Sequence, residues 1–153
     1  MHISKLIKVA VVGIGTSIAT FGAAMADNWI IKDSASDVAT TADKLVTAVE
    51  GAGAKVFARV DHAAGAASVD AELAPMTLVM FGNPKLGTPI LQSAPQAGLD
   101  LPIRVLIWDD NGATKIGYLD PADFKARYSV EGADKSFEMM AGALGKLTDA
   151  ASQ

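Results

Sequence analysis

Asn111-Gly112 stands between two apolar runs of strand length, residues 103–108 and 114–119. A two-residue turn joining twisted antiparallel strands needs left-handed backbone at both of its positions. Asn-Gly supplies that more readily than any other common pair, so the segment predicts a β-hairpin. Asp109 and Asp110, which lead into the turn, could be read as paired catalytic carboxylates. Turn geometry explains them without chemistry, because short acidic side chains accept hydrogen bonds from turn amides.

Around this hairpin the chain alternates between the two periodicities. Residues 28–32 read as a short first strand, and Ser34 followed by Asp37 resembles a capping pair. Val38, Thr41, Ala42, Leu45, Val46 and Val49 recur at helical spacing until Gly51 and Gly53 offer the geometry that ends helices. Residues 55–60 set Val56, Ala58 and Val60 against Lys55, Phe57 and Arg59, the pattern of a half-buried strand that ends at Asp61-His62. Residues 63–73 have room for a short helix with little to bury. Residues 77–81 form a continuous apolar run closed by Gly82-Asn83-Pro84, a central strand entering a turn.

A helix over residues 85–93 is expected to start near Thr88-Pro89, with Gly98 as its breaker. Asp120-Pro121-Ala122-Asp123 has the cap, proline and acidic residue that open a helix, here running through Tyr128. Phe137, Met140, Ala141, Leu144 and Leu147 fall on one face of a last helix. Strands and helices in this order predict an α+β domain, a mostly antiparallel sheet with helices packed on one side. Nothing marks an internal repeat or a second domain.

The N-terminus has the layout of a secretory signal: Lys5 and Lys8, an apolar stretch over residues 9–21, then Ala24-Met25-Ala26. Cleavage is expected after Ala26, leaving 27–153 as a single domain in the periplasm or outside the cell, without a membrane anchor. The chain has no cysteine, so a lipid anchor at the cleavage point is excluded and packing alone must hold the fold. The net charge of −4 becomes more negative once Lys5 and Lys8 leave. With no basic run interleaved with aromatics, nucleic-acid binding is disfavoured.

Several blocks together carry a family resemblance. They are Val56-Phe57-Ala58-Arg59-Val60-Asp61-His62, the run from Ala74 to Pro84, Gly87-Thr88-Pro89, the run from Leu99 to Asp110, and Gly117-Tyr118-Leu119-Asp120-Pro121. In this order they resemble the bacterial family catalogued as domain of unknown function 302, across nearly the whole mature chain. The resemblance implies a compact α+β domain similar in topology to one TATA-binding-protein-like half, often a homodimer, and it implies no activity. Nucleic-acid binding does not transfer with a topology, and the acidic charge argues against it. Members often carry Arg-His after the final short helix, where this chain has Arg127-Tyr128. If a pair of histidines served a common role, this protein lacks it.

Four residues are the candidates for a site: His62, Asn83, Lys85 and Asp100. His62 is the sole histidine after cleavage, and its neutral-range titration suits a general acid or base or a ligand contact. The alternative is a ring that ties down the following loop. The segment Gly82 to Thr88 superficially resembles a phosphate loop, but Thr88 stands where lysine is needed and Pro84 and Pro89 remove donors. A tight turn before a capped helix is the better reading, with Lys85 beside a helix start that could meet a carboxylate or other small anion.

Asp100 is placed to brace a strand entrance or to serve a site. Met76 and Met80 on one side of a strand and Met139 and Met140 on the last helix could with His62 form a soft copper site, although methionine filling core gaps is far commoner. No cofactor is expected, and there is no catalytic cysteine, serine elbow or zinc-type cluster. The leading expectation is an exported small-ligand-binding or interaction module, a dimer, with a pocket bordered by His62, the Asn83 turn and Asp100-Leu101-Pro102. The alternatives are a small enzyme using His62 as general acid or base with Asp61 or Asp100, and a purely structural subunit.

Overall fold

The computed structural model describes residues 28–153, so the segments read as an export signal and its cleavage point lie outside the described residues. The elements run β1 (Trp29–Asp33), α1 (Val38–Gly51), β2 (Lys55–Asp61), α2 (His62–Ala67), β3 (Met76–Gly82) and α3 (Pro84–Ser93). A 3₁₀ turn at Pro95–Leu99 leads to β4 (Ile103–Asp110), β5 (Ala113–Leu119), α4 (Pro121–Arg127) and α5 (Asp134–Ala151). The five strands form one sheet in the order β1-β5-β4-β3-β2, and every neighbouring pair is antiparallel. This is the α+β architecture that the patterning predicted.

Local chemistry accounts for the element ends. Asn111 and Gly112 take φ of 54° and 90°, as the reverse turn requires, and Asp109 accepts a 3.0 Å hydrogen bond from the Gly112 amide. Asp37 accepts from the Thr40 amide at 2.7 Å and opens α1, while Asp120 accepts from the Ala122 amide at 2.8 Å and opens α4. The helix expected to begin at Thr88-Pro89 starts earlier. Asn83 is its cap, with Pro84 at the first position, and Pro89 lies inside it. The competing signal was Asn83 before Pro84, a stronger cap than Thr88 before Pro89.

Alternation along each strand separates two faces. On one face Val79, Phe81, Val105, Ile107, Ile116 and Tyr118 join Leu45 and Val49 of α1 and Met140 and Leu144 of α5 in the buried core. Lys32 extends from β1 under this layer, where its ammonium donates to Thr148 Oγ1 at 2.9 Å and the Gly145 carbonyl at 3.0 Å. Ala141, expected on the buried side of α5, is exposed.

Strand β2 also departs from its simple alternation. Val56 pairs with Phe81, but Ala58 pairs with Met80, so Phe57 is an extra residue in a bulge. Val56 therefore shares the core face with Phe81, while Ala58 and Val60 lie on the opposite face with Met80 and Leu78. That opposite face carries Trp29 and Ile31, 49% and 50% exposed, together with the half-buried Leu78, Leu106 and Trp108. The indole of Trp108 rests over Gly117, where a Cβ would stand 3.2 Å from two ring carbons.

Candidate functional site

The strand ends farthest from the hairpin turn carry two cavities. Strand β4 pairs with β5 only from Leu106 opposite Gly117 to Asp110 opposite Ala113. Beyond that point Ile103 and Val105 stay with β3, while Tyr118 and Leu119 stay with β1, and the two strands part. A cavity of about 280 Å³ lies at this parting, bordered by Asp100, Arg104, Tyr118 and Phe124. A larger one of about 520 Å³ lies between α3, α5, the end of β3 and the Leu101-Pro102 segment. Ile103, Met140 and Leu144 line both, so the two cavities share a wall.

The larger cavity is lined mainly by apolar side chains, including Phe57, Phe81, Leu86, Leu91, Leu101, Met139 and Leu147. The bulge in β2 positions Phe57, whose ring approaches the place a Gly82 Cβ would occupy to 3.8 Å. Asn83 is at the rim with its side-chain oxygen already engaged, accepting from the Lys85 amide at 2.9 Å. Lys85 also lines the rim, and Lys55, opposite Gly82 in the ladder, holds its ammonium 5.4 Å from the centre of the Phe57 ring. Concave, mostly apolar walls with a few polar groups at the mouth are the usual form of a small-molecule site.

Asp100 belongs to the smaller cavity. Its side chain is 14% exposed and accepts hydrogen bonds from Arg127 at 2.7 Å, from the Tyr128 hydroxyl at 2.9 Å, and from Arg104. Burial pushes the Asp100 carboxyl up, but the Tyr128 and Arg127 hydrogen bonds and the charges of Arg104 and Arg127 outweigh it and hold the group below its ordinary value. Burial, then the hydrogen bond to the Asp100 carboxylate, raises the Tyr128 hydroxyl above its ordinary value. Tyr128 is thus a direct partner of Asp100. The Arg127-Tyr128 pair marked these residues in the sequence, but only the fold shows which carboxylate they meet.

His62 stands apart from both cavities. It is the first residue of α2, next to the ladder pair Asp61–Thr77, whereas Asn83 follows the pair Lys55–Gly82 at the other end of the same two strands. The intervening strand length is about 20 Å. The structure therefore brings Asn83, Lys85 and Leu101-Pro102 to one cavity and Asp100 to its neighbour, and it does not bring His62 to either. Asp61, the carboxylate beside His62 in sequence, caps α2 by accepting from the Ala64 amide at 2.9 Å.

Met76, Leu78 and Met80 share the uncovered sheet face. Among the described residues, no group of three or more His, Cys, Asp or Glu side chains could hold a metal ion. No helix of the described residues is long and apolar enough to cross a membrane.

The crystal structure of an uncharacterized conserved protein DUF302 from Bacillus stearothermophilus superposes with a TM-score of 0.73 at 17% identity, covering 82% of this chain and 98% of that one, a likeness of fold. Over 118 residues the chain is 37% identical to a protein of Brucella suis biovar 1 (strain 1330) named fluoride-specific ion channel FluC 1, covering 76% of this chain and 46% of that protein. The like-named protein of Brucella abortus biovar 1 (strain 9-941) matches at 37% identity over 44% of its length. The chain thus spans less than half the length of the curated relatives it matches. The family described as domain of unknown function DUF302 matches residues 30–147, most of the chain, and the protein belongs to that family.

Proposed function

We propose that the protein is an exported binding module that takes a small, largely apolar molecule in the cavity between α3 and α5. The observation that carries this reading is the cavity itself: about 520 Å³, apolar along most of its wall and open at a rim bearing Asn83 and Lys85. The signal-like N-terminus supports export. The test is titration with a neutral apolar fluorophore such as N-phenyl-1-naphthylamine, comparing wild type with Ala143→Trp and Gly87→Phe, which fill the cavity from opposite walls. Saturable one-to-one binding by wild type, lost in both folded variants, is expected. Binding that persists in both variants, or no saturable binding by wild type, overturns the reading.

A second reading, association of two copies through the uncovered sheet face, is favoured by that face's composition. Five strands about 4.8 Å apart and about 23 Å long span about 550 Å² in flat projection. With side-chain relief this approaches the roughly 800 Å² per partner of a standard interface. Two cations on the face already hold carboxylates, Lys115 that of Asp33 and Arg104 that of Asp100, which lowers the cost of covering them. The bulge in edge strand β2 disfavours edge pairing. Sedimentation velocity should find a wild-type dimer that Ile31→Glu dissociates. A monomeric wild type, or a dimer untouched by Ile31→Glu, sinks this reading.

A further inference from the structure

We infer that the ligand of the α3–α5 cavity is an amphipathic acid, with an apolar tail in the cavity and an anionic head held by Lys55 and Lys85. The inference rests on the binding reading above and adds the chemical class. The chain is acidic, with 17 Asp and Glu against 13 Lys and Arg, yet neither Asp nor Glu lines this cavity. Lys85 is among the residues lining its mouth, and Lys55, opposite Gly82 in the β2–β3 ladder, holds its ammonium 5.4 Å from the centre of the Phe57 ring that lines the same cavity.

Lys32, Lys115 and Lys125 each hold a carboxylate. Among the described residues Lys55 and Lys85 make no ion pair. Two unpaired ammonium groups on long stems beside an apolar wall attract an anion that has a tail to bury. The start of α3 offers little by itself, because Pro84 has no amide hydrogen and Asn83 already takes the Lys85 amide. The side chains must therefore hold the head. Without an arginine fork, the two ammonium groups hold an anionic head as point charges.

The rim explains the tail. Phe57, Leu91 and Met139 are 50%, 37% and 51% exposed, and all three line this cavity. An acyl chain would cover them, gaining about 25 cal/mol for each Å² removed from water.

The test is calorimetric titration of the full chain at neutral pH with decanoate, decanol and decyltrimethylammonium, repeated on Lys55→Ala/Lys85→Ala and on Ala143→Trp. Circular dichroism on each variant establishes that it is folded. Decanoate should bind about tenfold more tightly than decanol, the cationic ligand most weakly, and the preference should fall as salt rises. The double lysine variant should bind decanoate and decanol alike. Equal binding of decanoate and decanol by wild type, or a preference that survives loss of both lysines, overturns the acid assignment and leaves the cavity reading standing. If none of the three ligands binds wild type, the cavity reading and the assignment built on it both fall.

Discussion

Gly117→Ala tests how tightly the uncovered sheet face is built. A methyl group there would stand 3.2 Å from two carbons of the Trp108 ring and 3.3 Å from the Ile30 carbonyl oxygen. The indole can tilt away, but the Ile30 oxygen belongs to the β1 backbone, which is tied into the sheet. Overpacking of this kind costs about 1–3 kcal/mol. It is opposed by up to about 1 kcal/mol from the smaller entropy of the unfolded alanine chain. The net expectation is destabilisation by about 1–2 kcal/mol, a fall in Tm of roughly 3–8 °C for a domain of this size.

Far-UV circular dichroism melting at fixed protein concentration measures the shift, and tryptophan emission should show the displaced indole. Gly142→Ala on α5, where a Cβ meets nothing within 4 Å, is the control. It should raise stability by about 1 kcal/mol through helix propensity. In a Trp108→Leu background the penalty at Gly117 should shrink. A Gly117→Ala protein as stable as wild type, or more so, would refute the reasoning.

Three further outcomes follow from the cavities. Asp100 titrates in the fold below its ordinary value of 3.8, so its contribution is present above that pH and is lost as pH falls through the folded value. Asp100→Asn should therefore lower the urea midpoint at neutral pH and flatten its decline below pH 3.8; an unchanged acid limb would exclude the cluster as its source. Leu144→Ala removes part of the wall between the cavities and should destabilise by about 2–3 kcal/mol, at the low end for a core leucine because space already adjoins it, with urea unfolding as the check. The same variant should take a bulkier apolar probe than wild type, as read by fluorescence titration; an unchanged size limit would mean the wall stays closed.

Much of the fold was readable from local chemistry. The turn of Asn111-Gly112, the caps Asp37 and Asp120, and the helical stripe from Val38 to Val49 are set by residues within one turn of each other. The errors lie where a neighbour decides. The Phe57 bulge exists only through pairing with β3, and it moves Ala58 and Val60 from the predicted side to the open face. Of the candidate site residues, Asn83 and Lys85 meet at one cavity because they are adjacent at a helix start. The distance of His62 from them was hidden because all follow strand ends, and a sequence does not say which end of the sheet each strand reaches.

The sequence by itself determined the class, the family and the α5 face bearing Phe137, Met140, Leu144 and Leu147, because periodicity, caps and turns act over a few residues. Tertiary structure alone decided that Asp100 meets Arg104, Arg127 and Tyr128, that β4 and β5 part beyond Leu106 and Gly117, and that Lys55 and Lys85 flank one apolar cavity. Those arrangements depend on strand order and register, which the chain settles by burying one face of the whole sheet at once rather than by any local preference.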